Sequence, residues 1–485
     1  MFFNSLNFAI FLPVVFALYW LIGNKYLRLQ NILLLVASYF FYAFWDYRFL
    51  FLLMFSTFLD YSTGLKIHQA ETKAAKKFWL WLSIIINLGF LGVFKYYNFF
   101  TDSFAVLLGE FGLKSNFGAI DVILPVGISF YTFHGLSYIL DIYWKRAEPT
   151  RNFIDYSVFV SFFPLLVAGP IERATHLLPQ IQKKRTFNYP QAVDGLKQIL
   201  WGLFKKIVIA DNCAEYANMI FNNYTHYPGS TLLLGAIFFA FQIYCDFSGY
   251  SDIALGTARL FGIELIRNFA FPYFSRDIAE FWRRWHISLS SWFRDYLYIP
   301  LGGSRGSSWN KVRNIFIIFI VSGLWHGANW TFIIWGALNA FYFLPLLLFN
   351  RNRNNLEIAA KGRLLPTIKE LLQMAVTFGL VVFAWIFFRA ENVTSALHYI
   401  SNICSRSLLV VPDGATLLGT HHPLGILALT AFMIAVEWIG REQQYGLATL
   451  GLNWKRPLRW SFFIGLVIYI FYFTGQEQQF IYFQF

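Results

Sequence analysis

The stretch NIFIIFIVSGLWHGANWTFIIWGALNAFYFLPLLLFN, Asn314–Asn350, is 37 consecutive residues without Asp, Glu, Lys or Arg. As one unbroken helix it would run about 55 Å at ~1.5 Å per residue, whereas a hydrocarbon core of about 30 Å is crossed by roughly 20 residues. The chain must therefore turn, tilt steeply or break. The break is expected near Ser322-Gly323-Leu324-Trp325-His326-Gly327-Ala328-Asn329-Trp330, where glycines lie on both sides of His326. The pattern is an apolar hairpin with an imidazole at its bend.

Similar apolar runs recur along the 485 residues. Candidate spans are about 7–23, 29–45, 48–65, 78–97, 122–143, 153–170, 231–247, 314–349, 369–388, 423–440 and 459–474. Further apolar material at 195–210 and 250–300 is interrupted by charge and reads as re-entrant or interfacial. These runs are continuously apolar, whereas a membrane β-barrel needs alternating strands of about ten residues. The expected fold class is all-α: a polytopic integral membrane protein of roughly 10–13 transmembrane or re-entrant helices. No repeat or linker divides it, so it reads as one membrane-embedded domain over 1–485. Its motif-bearing core lies at about 122–349 and its C-terminal helices at about 366–474.

Composition agrees. The chain is 57% hydrophobic, 21% aromatic and 13% charged, against about 25% charged in a typical soluble domain. A soluble enzyme, a disordered chain and a nucleic-acid-binding domain are excluded, and three scattered cysteines exclude a disulfide scaffold. The net charge of +13 comes from short basic clusters between apolar runs, so it orients the chain in the bilayer. Loops holding Lys25 and Arg28, then Lys66, Lys73, Lys76 and Lys77, then Lys145, Arg146 and Arg151, read as cytosolic. So do Arg351–Arg363 and Arg441–Arg459. The loop 98–121, with Asp102, Glu110 and Asp121, reads as external. Both termini are then extracytoplasmic, including the tail Phe480-Ile481-Tyr482-Phe483-Gln484-Phe485. The first 24 residues carry no charge and read as a retained first helix rather than a cleaved leader. The basic stretch 171–190 breaks the alternation.

Ionisable groups in apolar territory mark candidate sites. His326 can take a proton from a hydroxyl or return one to a leaving group; the alternative is a packed histidine capping a helix end. The run Glu280–Tyr296 mixes Trp and Phe with Arg283, Arg284, His286, Arg294 and Asp295, a composition suited to a polar cavity at membrane depth. His286 lies 40 residues before His326, so the two sit on separate elements that can converge. The three arginines read first as interfacial, with phosphate binding as the alternative. In Asp246-Phe247-Ser248-Gly249-Tyr250-Ser251-Asp252 the carboxylates read as structural, paired with an arginine such as Arg259 or Arg276, with cavity lining by Asp246 and Tyr250 as the alternative. His134, alone on an apolar helix, reads as core. No metal-ligand spacing occurs. Leu301-Gly302-Gly303-Ser304-Arg305-Gly306 reads as a turn.

At these motifs the sequence resembles the membrane-bound O-acyltransferases, in their bacterial polysaccharide-modifying branch. The resemblance rests on Asp246–Asp252, on Glu280–Tyr298 followed by Ile299-Pro300-Leu301-Gly302-Gly303, and on Trp325-His326-Gly327. It extends to Leu124–Phe133, Ala168-Gly169-Pro170 and the Phe-Gln-Phe end. It implies His326 as the central histidine, acting as base, and His286 as the second signature residue. Asp246, Tyr250, Asn329, Arg283, Arg284 and Arg294 are candidates to line the cavity or bind substrate. It also implies a cytosolic donor, acetyl-CoA, with no tightly bound cofactor. The acetyl group would pass outward to a polysaccharide of alginate or peptidoglycan type, or to a separate extracytoplasmic SGNH-like acetyltransferase. The expected location is the bacterial inner membrane. D-alanyl transfer to teichoic acid from a carrier protein is the nearest alternative. A transporter would show paired broken helices in two related halves, and a non-enzymatic scaffold would tolerate loss of both histidines.

Overall fold

Long apolar runs bounded by small capping residues produce the helices. Thr72 and Asn392 cap two of them through their side chains. Thr367 and Glu370 form a reciprocal capping box at the start of a third, satisfying amide groups that the first helical turn leaves without partners. The structure, a computed structural model, describes residues 1–113, 123–412, 417, 419–474 and 480–481. Among the described residues the regular secondary structure is all helical, with no strand. Asp121 and the tail residues 482–485 lie outside them.

Among the described residues, six helices are long and apolar enough to cross a membrane: Leu27–Asp46, Arg48–Gln69, Lys73–Glu110, Gly229–Leu260, Trp330–Leu348 and Ile368–Arg389. Leu6–Ile22 and Pro423–Ile439 are shorter apolar helices. Contacts group the chain into two compact units. One comprises residues 1–188, 260–265 and 327–329, and the other residues 189–259, 266–326 and 330–485. The boundary at 188/189 falls inside the motif-bearing stretch 122–349.

The first unit contains α1 (Leu6–Ile22), α2 (Leu27–Asp46), α3 (Arg48–Gln69), α4 (Lys73–Leu91), α5 (Tyr97–Glu110), α6 (Ile128–Tyr143), α7 (Phe153–Ser161), α8 (Phe163–Leu166) and α9 (Ala174–Gln182). A π-helical segment, Gly92–Tyr96, joins α4 to α5 without interruption. Residues 98–110, part of the stretch 98–121 read from sequence as an external loop, are therefore helical, because the apolar run continues through Val106 and Leu108. The expected span 153–170 is instead two pieces. The chain is extended at Phe162 and restarts with Pro164 in the first turn, where a missing N–H costs nothing. Several buried polar groups inside this unit pair with one another. Asp60 accepts from Ser83 at 2.6 Å and from Asn87 at 2.8 Å. Its other oxygen is pressed against Gly135, where a Cβ would lie 1.8 Å away. Asn31 bridges Asp155 and Arg185.

The second unit begins with α10 (Tyr189–Leu203), continues as a π segment, Phe204–Ala210, and passes into α11 (Asp211–Asn222) and α12 (Gly229–Leu260). It then holds α13 (Ile278–Arg284), α14 (Ile287–Phe293), α15 (Ser308–His326), α16 (Trp330–Leu348), α17 (Ile368–Arg389), α18 (Val393–Ile403), α19 (Pro423–Ile439) and α20 (Arg456–Tyr472). Two glycine pairs bring α10 and α12 into backbone contact. A Cβ on Gly195 or Gly202 would lie 2.6 Å from the carbonyl of Gly256 or Gly249, and the reverse distances are 2.4 and 2.8 Å. Small residues at a helix crossing permit this approach where the bilayer supplies no hydrophobic drive.

Candidate functional site

The hairpin expected at 314–350 is present. Helix α15 ends at His326 and α16 starts at Trp330. Their close packing depends on two glycines: a Cβ at Gly323 would lie 2.2 Å from the Phe332 carbonyl oxygen, and one at Gly336 would lie 2.3 Å from that of Phe319. This geometry seats the His326 ring 5.2 Å from Trp335, edge to face at 87°, and 5.2 Å from Phe388 of α17. Trp325 lies edge to face beside it at 4.9 Å. The ring is buried, with the residue 4% exposed.

His286 reaches the same place from another element. Residues 266–286 turn back along α12, and backbone hydrogen bonds Ala270 N–H to Arg284 O and Ile287 N–H to Asn268 O, both 2.9 Å, clamp the two arms together. Between them His286 sits at φ 43°, ψ 56° as the residue before α14. This left-handed conformation is unfavourable for a residue with a Cβ and persists where surrounding contacts impose it. The ring packs on Phe247 at 4.7 Å and on Trp325 at 5.8 Å. Both imidazoles thus border one indole, Trp325, though they are 40 residues apart in sequence. Aromatic rings surround them further out, with Trp285, Trp385 and Phe269 all buried.

The carboxylates of the 246–252 motif are paired, but with lysines. Lys206 meets Asp246 at 2.7 Å and Asp211 at 2.8 Å. Lys205 meets Asp252 at 2.7 Å, Glu437 at 3.6 Å and the Ser248 hydroxyl at 2.9 Å. The sequence expectation of an Arg259 or Arg276 partner is corrected. Arg259 binds Asp194 at 2.7 Å, and Arg276 binds Glu280 at 3.0 Å. The reason is helix geometry: the glycine-lined crossing places the π segment, not a distant arginine, against this part of α12. Asp246 also accepts the Ile481 N–H at 2.7 Å, and Tyr250 packs on Phe480 at 5.1 Å. Phe480 also packs at 6.0 Å on Phe247, the ring on which His286 rests.

The remaining candidates are dispersed. Arg284 lies against Glu280 at 2.7 Å and the Ala270 carbonyl at 3.2 Å. Arg283 holds the carbonyls of Asn352 and Asn355, both at 2.7 Å. Arg294 is exposed beside Asp295 at 2.8 Å. Asn329 is half-buried in the turn after His326. His134 is fully buried and accepts the Glu172 N–H at 3.0 Å, the core role expected for it. Glu172 also meets His176 at 2.8 Å, and this bond holds the exposed imidazole above its ordinary pKa. Sequence reading passed over Lys205, Lys206, Glu437 and Asn268. The signal for the lysines was available: two adjacent bases inside an apolar run, facing two carboxylates in another.

Chemically, the arrangement is a pair of imidazoles in a water-poor aromatic setting, where proton transfer and stabilisation of developing charge are strongest. The membrane-bound O-acyltransferase family matches residues 147–387, which include both histidines. A protein of Pseudomonas aeruginosa named "Probable alginate O-acetylase AlgI" is 43% identical over 80% of this chain and 71% of its own length. One of the same name from Pseudomonas putida is 38% identical over 98% of both chains. The "Peptidoglycan O-acetyltransferase" of Helicobacter pylori is 33% identical over 98% of this chain and 95% of its own. With similarity sustained from end to end and both imidazole motifs inside the matched region, this chain belongs to the membrane-bound O-acyltransferase family.

Proposed function

We propose that this protein is an inner-membrane O-acetyltransferase that moves an acetyl group from cytosolic acetyl-CoA to the hydroxyl of an exported polysaccharide, of alginate or peptidoglycan type. The observation that carries the reading is the convergence of His326 and His286 on the Trp325 ring, in a protein similar along its length to relatives named for O-acetylation. In this mechanism His326 removes the proton of the acceptor hydroxyl as its oxygen attacks the thioester carbonyl. The C–S bond then breaks, and the departing thiolate takes the proton back from His326. His286 assists through a hydrogen bond to the reacting groups. The acceptor is either the sugar or the hydroxyl of a separate SGNH-like transferase outside the membrane.

The resting ring is 4% exposed, so the reading requires Trp335 and Phe388 to part as substrate enters. Both termini and residues 390–422 lie outside in this reading, and the Arg351–Arg363 loop lies in the cytosol. The test compares His326→Ala with wild type in cells that make the acceptor polymer. Equal membrane levels and a loss of O-acetyl ester of about 10²–10⁴-fold are expected. Full residual acetylation removes His326 from the mechanism, and turnover of an aminoacylated carrier without use of acetyl-CoA replaces the donor.

A further inference from the structure

Asn268 lies in the segment between α12 and α13, is 1% exposed, and is the side chain that grips His286. Its Oδ1 receives three contacts: His286 Nδ1 at 3.0 Å, the Ser288 hydroxyl at 3.0 Å and the Ser288 backbone N–H at 3.4 Å. Its Nδ2 donates to Ser251 of α12 at 3.3 Å, and its own carbonyl accepts the Ile287 N–H.

These contacts fix the amide's orientation. A flipped Asn268 would set its NH2 against the Ser288 N–H, which can only donate, so the oxygen faces His286. An amide oxygen carries no hydrogen, so Nδ1 of His286 is the donor of that bond. In a neutral imidazole the other nitrogen is then the acceptor. Aromatic rings from three parts of the chain pack on the imidazole. Phe247 comes from α12, Phe269 from the segment beside Asn268, and Trp325 from α15.

Resting on the acetyltransferase reading above, we propose that Asn268 is a positioning residue, which holds His286 in its left-handed backbone conformation and in the Nδ1–H tautomer, so that Nε2 is the nitrogen available to accept a proton or hydrogen bond. The sequence motifs contain His286 but not Asn268, which enters through the tertiary fold.

Two measurements test this. In protein labelled with ¹⁵N-histidine, the His286 resonances are identified among the nine histidines by their loss in His286→Gln. Neutral wild-type protein should show a protonated Nδ1 and an unprotonated Nε2. The reverse pattern overturns the proposal whether or not the protein transfers acetyl groups. In acetyl transfer from acetyl-CoA, Asn268→Leu should lower kcat by about 10–100-fold, the usual scale for a group that orients a functional side chain. Asn268→Asp, which keeps the acceptor, should restore most of the rate. Full activity in Asn268→Leu overturns the positioning role. If Asn268→Leu does not fold, the wild-type spectrum and the Asn268→Asp rate still decide. Wild-type protein with the expected tautomer but no acetyl transfer counts against the function and leaves the tautomer assignment standing.

Discussion

Lys205 and Lys206 are neighbours in sequence yet serve separate carboxylate groups, Asp252 with Glu437 and Asp246 with Asp211. A π-helical turn at Phe204–Ala210 carries them. Burying Asp246, Glu437 and both ammonium groups, with Asp211 and Asp252 half-buried, is tolerable because each charge has a polar partner close by. Removing one partner is worse than removing both. Lys206→Met leaves Asp246 and Asp211 facing each other without a cation and should cost about 3–5 kcal/mol of stability. Adding Asp246→Asn, which still accepts the Ile481 N–H, should recover part of that loss. Thermal unfolding in detergent of the single and double variants measures both. A Lys206→Met protein as stable as wild type would show that the pair is not structural.

Among the elements, the contact of α10 with α12 and that of α15 with α16 rest on glycines, but for different results. The first aligns Lys205 and Lys206 with the carboxylates of α12. The second turns an apolar stretch back on itself and leaves His326 beside Trp335. Gly202→Ala places a methyl 2.6 Å from the Gly249 oxygen and 2.7 Å from Ile253. The helices must then separate, at a cost of about 1–3 kcal/mol. Gly89→Ala in α4, where nothing lies within 4 Å, should be neutral or stabilising by about 0.5–1 kcal/mol through helix propensity. The melting temperature should therefore fall for Gly202→Ala and hold or rise for Gly89→Ala, and equal shifts would remove the role of close packing.

For the whole molecule, the three free cysteines give a measure of both burial and sidedness. Cys213 and Cys245 are buried and Cys404 is exposed. A membrane-impermeant maleimide applied to spheroplasts should therefore label one thiol per chain, and Cys404→Ser should abolish labelling. Labelling only after the membrane is opened would invert the proposed orientation, since Cys404 follows α17 and precedes α19. The same experiment performed in detergent checks burial alone: Cys213 and Cys245 should react only on unfolding.

The amino-acid sequence by itself determined the solvent and the class. Its apolar runs are too long and its charges too few for water, and the bend at His326 was forced by a length that no bilayer accommodates as one helix. Both histidines stood out because an imidazole in apolar surroundings is costly. What needed the tertiary structure was every relation between elements: the lysine partners of Asp246 and Asp252, the continuation of α4 through residues 97–110, the break at Phe162, and Asn268 behind His286. A sequence registers that a charge is buried, because burial is a property of one segment's composition. Which group neutralises or orients it depends on helix crossings set by glycines many residues away, and that register is decided only when the chain packs.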